Sequence, residues 1–169
     1  MRTPRGLFAL ALAATFGGGG VGVISTGVIG TGTAGAVTAC TTLTQPGTTG
    51  LTAKMVAAKT TPISAQTVTA KGCDVGIYVG NTITGVTITK VTVTGATDAG
   101  ILAESTNHLT VKTSTVKTNG LSSTPKIPQA FGISLFGVST STVTGNTVTG
   151  NGRGGIGVMD NGPTDPGAV

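Results

Sequence analysis

Residues 132–158 read GISLFGVSTSTVTGNTVTGNGRGGIGV, and the spacing inside this stretch decides the fold. It opens on Gly132-Ile133 and opens again, 23 residues later, on Gly155-Ile156. Between the two openings lie tandem copies of Thr-Val-Thr-Gly-Asn, at 142–146 and 147–151. Valine alternating with threonine has the period of two that places apolar and polar side chains on opposite faces of a strand. The odd step of five from Val143 to Val148 requires a turn if both valines are to face the same interior. Gly145-Asn146 has the chemistry for that turn, because both residues tolerate positive φ.

Working outward, Gly-Ile recurs at Gly76-Ile77 and Gly100-Ile101, giving spacings of 24, 32 and 23 residues. The long interval holds Gly120-Leu-Ser-Ser-Thr-Pro-Lys-Ile-Pro128, a turn-rich insertion around 120–130. Without it the intervals agree, and four columns align. They are Ile77/Ile101/Ile133/Ile156, Val79/Ala103/Leu135/Val158, Ile88/Val111/Val143 and Val93/Val116/Val148. Short strands and tight turns repeating at this period predict a parallel coil whose turns stack about 4.8 Å apart. No turn of such a coil buries its apolar face alone, so stacked burial is the dominant stabilising force. Composition agrees: only 9% of residues are charged, 3% are aromatic and 29 are glycine, which favours sheet over helix.

From Cys73 to about Pro166 the chain resembles the pectate-lyase-like right-handed parallel β-helix superfamily. Thr142-Val-Thr-Gly-Asn-Thr-Val-Thr-Gly-Asn151 is similar to its generic rungs. The resemblance implies an all-β right-handed solenoid of three to four rungs in a secreted bacterial protein. It also implies a carbohydrate setting, since the superfamily includes polysaccharide lyases, hydrolases and epimerases beside extracellular members without assigned activity.

The ends carry separate signals. Arg2 and Arg5, the apolar run Leu7 to Phe16 and the ending Ala34-Gly-Ala36 read as a secretory signal cleaved after Ala36. The run is too short for a membrane span. Residues 37–72 are expected to form an N-terminal cap or an irregular first rung. Leu51, Met55 and Ala58 have helical spacing stopped by Pro62, while Thr67-Val-Thr69 has the rung pattern. Residues 73–169 hold the repeats. Cys40 and Cys73 are the two cysteines, and in an exported chain they are expected to pair. Val37-Thr-Ala-Cys40 also resembles a bacterial lipobox, whose cysteine would carry a lipid anchor instead. A rung opening at Gly155 and running into Asp160-Asn-Gly-Pro-Thr-Asp-Pro lacks a polar cap. A fragment of a longer β-helix, prone to self-association through this last rung, is expected to look like this.

Candidate chemistry is sparse. The acids are Asp74, Asp98, Glu104, Asp160 and Asp165, and the one histidine is His108. Superfamily lyases use clustered acids for calcium with an Arg or Lys base, and its hydrolases use paired aspartates that divide acid and base work. Neither dense motif is present. Asp74 and Asp98 each stand two residues before a Gly-Ile, so they should stack on adjacent rungs, with Arg153 in the same column beyond Ala130. The trio is the candidate catalytic set. The two aspartates could bind calcium or simply start strands; otherwise no cofactor is expected. Glu104 and His108 fall near one turn, close to Asn81. Tyr78 and Leu102 should face outward, there to stack on a sugar or to lie under the insertion.

Outward threonines align as Thr87/Thr110/Thr142 and Thr92/Thr115/Thr147, an array that resembles ice-binding faces, interrupted by Lys112 and Lys117. Basic residues are scattered singly with few aromatics, so no nucleic-acid footprint exists. The function expected is a secreted, non-catalytic β-helix that binds polysaccharide or cell-surface glycan. The alternatives are a carbohydrate-active enzyme with an incomplete site and threonine-face ice binding.

Overall fold

The computed structural model describes residues 39–59, 61–81, 83–127 and 130–160. The segment read as an export signal and Asp165 lie outside them. Each repeat contributes three short strands, and the repeats stack in parallel. The first rung is β2 (Thr52–Val56), β3 (Ile63–Ser64) and β4 (Thr67–Thr69). The second is β5 (Val75–Val79), β6 (Thr87–Thr89) and β7 (Thr92–Thr94). The third is β8 (Ala99–Glu104), β9 (Thr110–Lys112) and β10 (Thr115–Lys117). The fourth is β11 (Ile133–Phe136), β12 (Thr142–Thr144) and β13 (Thr147–Thr149), after which β14 (Ile156–Met159) opens a fifth. The described residues thus hold four complete rungs and the start of another.

Three sheets result, ordered β2-β5-β8-β11-β14, β3-β6-β9-β12 and β4-β7-β10-β13. We call them A, B and C. The strand β1 (Thr41–Thr42) pairs antiparallel with β2 and closes the first edge of sheet A. The registers match the columns read from sequence: Ile77, Ile101, Ile133 and Ile156 are successive partners in A. Ile88, Val111 and Val143 align in B, and Val93, Val116 and Val148 in C. The interior between the sheets is one apolar cluster built from these columns, with Val143 and Val148 packed against it and Ile156 outside it.

The rung extends earlier in the chain than Gly-Ile reveals. Met55 pairs with Ile77, Ile63 with Ile88 and Val68 with Val93, so β2, β3 and β4 form a full rung and no helix. The helical spacing of Leu51, Met55 and Ala58 has no shared face behind it. Leu51 joins a cluster outside sheet A, Met55 packs on the interior cluster, and Ala58 is exposed.

Turns are held by a ladder of side chains. Asn119 accepts from Ala96 N–H at 3.1 Å, and Asn151 accepts from Asn119 N–H at 3.0 Å. At the next corner Ser114 accepts from Val91 N–H and Asn146 from Ser114 N–H. Each rung therefore satisfies buried donors of the one before it, which an apolar side chain there would leave unmade. This explains the two asparagines of the tandem Thr-Val-Thr-Gly-Asn. Ile156 and Val158, the last of the described column members, are 48% and 69% exposed.

Candidate functional site

The outer face of sheet A is covered rather than bare. Tyr78 and Leu102 do point away from the interior, but they are 1% and 0% exposed. Leu43 and Leu51 from the 43–51 loop, with Ile127 and Ala130 from the insertion, build a second apolar cluster over this face. Sugar stacking on Tyr78 and Leu102 is thus replaced by packing under loops. The reason is that two segments outside the repeat register bring their own apolar anchors.

The stacked aspartates lie at the edge of this cover. Asp98 N–H donates to Asp74 O at 3.0 Å, which places them on adjacent rungs. Both are engaged by Lys126, a residue the repeat reading passed over. Its ammonium lies 2.9 Å from Asp74 Oδ2, and its backbone N–H donates to Asp98 Oδ2 at 3.1 Å. The same ammonium donates to Gly50 O at 3.4 Å, tying the insertion to the 43–51 loop. Asp74 Oδ2 also accepts from Thr52 N–H and Thr52 Oγ1 at 2.8 and 2.9 Å. The one signal for Lys126 in the sequence was a lone cation in an otherwise uncharged insertion.

These contacts set opposite titration behaviour. Burial alone would raise the Asp74 carboxyl, but Lys126 and the Thr52 donors outweigh it and hold it below the ordinary aspartate value. Burial raises Asp98 above that value, and the neighbouring Asp74 charge adds to the rise. Asp74 therefore contributes stability above its unfolded pKa that is lost as pH falls through its folded one. Asp98 contributes stability in acid that is lost as pH climbs through its raised value. Because Lys126 is more than half exposed, Lys126→Met is expected to cost only about 1 kcal/mol near neutrality. The gap to the parent should close as acid protonates Asp74, followed by urea unfolding at stepped pH. A gap independent of pH would show that only loop packing had been lost.

Asp98 Oδ1 is buried and, among the described residues, has no hydrogen-bond partner. Asp98 lines a cleft of about 310 Å³ together with Ser122, Ser123, Pro125 and Arg153. Asp98 and Arg153 line one cleft, whereas Asp74 is taken up by Lys126. A second cleft, of about 460 Å³, lies against Gly95, Thr97, Thr118 and Leu121 and shares Ser122 and Ser123.

Glu104 and His108 are not brought together by any hydrogen bond. Glu104 is buried, with Oε2 3.1 Å from Tyr78 Oη, while His108 is exposed at a turn with φ of 56°. Burial raises the Glu104 carboxyl, opposed by the Tyr78 hydrogen bond, and burial likewise raises the Tyr78 phenol. Among the described residues no three acids, histidines or cysteines gather where they could hold a metal ion. Cys40 and Cys73 form a disulfide with Cα atoms 5.5 Å apart, so Cys40 has no thiol for a lipid in this structure. Threonine columns align on sheets B and C, and Lys112 and Lys117 stand exposed among them in the third rung. No helix among the described residues is long and apolar enough to cross a membrane.

Comparison with protein families matches residues 18–165 to the family described as right handed beta helix region. Comparison with curated proteins and with solved structures returns no match. With parallel strands stacked in three sheets and this match running over most of its length, the chain belongs to the right-handed β-helix family.

Proposed function

We propose that the chain is exported and acts as a non-catalytic β-helix that binds a glycan of the cell surface or surrounding matrix in the Asp98–Arg153 cleft. The observation that carries this reading is Asp98, a buried carboxyl with one oxygen unpartnered, at a cleft lined by two serine hydroxyls and a guanidinium. Sugars present dense donors and acceptors, and a small set of fixed polar groups in a concave site is how such ligands are oriented. Glycoside hydrolysis takes two carboxyl groups flanking one bond. Among the described residues Asp74 is engaged by Lys126 and Glu104 by Tyr78, and Asp98 is the acid that lines the cleft. Export rests on Arg2, Arg5, the Leu7 to Phe16 run and Ala36, and a disulfide suits the oxidising side of a membrane.

A glycan array probed with the chain, followed by affinity electrophoresis on the best polysaccharide, tests the reading. Arg153→Ala and Asp98→Ala are each expected to weaken binding about tenfold, the worth of one good hydrogen bond to a charged or buried partner. Binding unchanged in both variants sinks the cleft. Release of unsaturated uronate during incubation would overturn the non-catalytic part and favour a lyase. Calcium-dependent thermal stabilisation lost in Asp98→Ala would place a cation between the aspartates instead. Inhibition of ice recrystallisation without glycan binding would move the function to the threonine faces.

A further inference from the structure

A hydrogen-bond chain fastens the 43–51 loop to the coil, and counting its protons constrains Glu104. Gln45 Oε1 accepts from Asn81 N–H at 3.1 Å and lies 2.9 Å from Tyr78 Oη. The Gln45 amide rests against Gly80, where any β-carbon would collide with it. Because the amide oxygen can only accept, its contact with Tyr78 is satisfied when the single phenolic hydrogen goes to Gln45, while the Thr48 side chain also bonds the phenol oxygen. Glu104 Oε2, 3.1 Å from the same Tyr78 oxygen, is then left facing lone pairs unless it supplies the hydrogen itself. Around Glu104 stand Tyr78 from β5 and Phe136 from β11, and Tyr78 is the titratable group acting on it.

We propose that Glu104 is a neutral carboxylic acid that donates to Tyr78, and that its ionisation releases the 43–51 loop from the outer face of sheet A. When the proton leaves to solvent, the carboxylate claims the Tyr78 hydrogen. Gln45 Oε1 then loses its phenolic donor, and rotating the amide would forfeit Asn81 instead. Either way the loop gives up a side-chain hydrogen bond, and the charge on Glu104 is created in a buried position, which is costly. The loop stays tethered through Cys40–Cys73, so opening uncovers Tyr78 and Val75 without unfolding the rungs.

The test is amide hydrogen exchange across 43–51, expressed as protection relative to intrinsic rates at each pH, beside a ¹³C titration of the Glu104 carboxyl. Protection of Leu43, Thr48 and Leu51 N–H is expected to fall about tenfold as Glu104 ionises, at a midpoint above the ordinary glutamate value. Glu104→Gln, whose amide still donates to Tyr78, should keep protection at every pH. Tyr78→Phe should lose it at every pH. Constant protection through the Glu104 titration, a Glu104 midpoint at or below the ordinary value, or Glu104→Gln retaining the pH response would each overturn the latch.

Discussion

Ile101→Ala is expected to destabilise the fold by about 4 kcal/mol, near the top of the range for emptying a buried aliphatic site. Ile101 is fully buried and stacked between Ile77 of the rung before and Ile133 of the rung after. Across the interior it faces the columns of sheets B and C, which belong to the same cluster. A rung cannot shift to fill the gap, because its backbone is bonded to neighbours on both sides, so most of the cavity should persist. The control is Ile156→Ala, in the same column but 48% exposed. Losing a half-solvated side chain should cost less than about 1 kcal/mol. Urea unfolding of both variants measures the difference. Equal losses would mean that the columns do not share one dry interior.

The columns were legible because parallel stacking repeats one side-chain environment at a fixed interval, and Gly-Ile marks that interval for a steric reason. A β-carbon on Gly100 would strike Val116 and come within 2.7 Å of Gly132 O and 2.8 Å of Asn119 Nδ2. The same collision arises at Gly76, whose added carbon would strike Val93, and at Gly132, whose added carbon would come within 2.7 Å of Val148, whereas Gly155 has room. The first rung was readable only at Thr67-Val-Thr69, as one of two alternatives, because Lys54-Met55 stands where Gly-Ile does elsewhere, even though Met55, Ile63 and Val68 keep register.

The candidate site divides along the same line. The adjacency of Asp74 and Asp98, and the place of Arg153 in their column, follow from register. Which residues cover them does not follow from it. Lys126 reaches Asp74 across 52 positions and Gln45 reaches Tyr78 across 33, from loops with no repeat to fix their place. Outward direction at Tyr78 and Leu102 was therefore readable, but burial was not. Solvent and a loop bearing Ile127 look alike from a strand's own sequence.

Replacing Cys40 and Cys73 together by serine is expected to cost about 3–4 kcal/mol, and for a definite reason of chain length. The bridge joins residues 33 positions apart. In the chain-entropy account, closing a loop of that size removes freedom from the unfolded chain worth about 3–4 kcal/mol. The bridge also pins the start of the β1–β2 hairpin to the turn before β5, where Cys73 packs with Ala70 and Ala96 and Cys40 packs against them. That hairpin closes the sheet edge and carries Leu43 and Leu51 onto the outer face, so its detachment would expose apolar surface as well as an edge. Urea unfolding of the parent with and without reductant should reproduce the difference, and the double serine variant should ignore reductant. If reduction, verified by thiol titration, leaves the parent's midpoint unchanged, the first rung is held by packing alone. The case for export would then lose the support that a stabilising disulfide gives it, since such a bond persists only where thiols are not kept reduced.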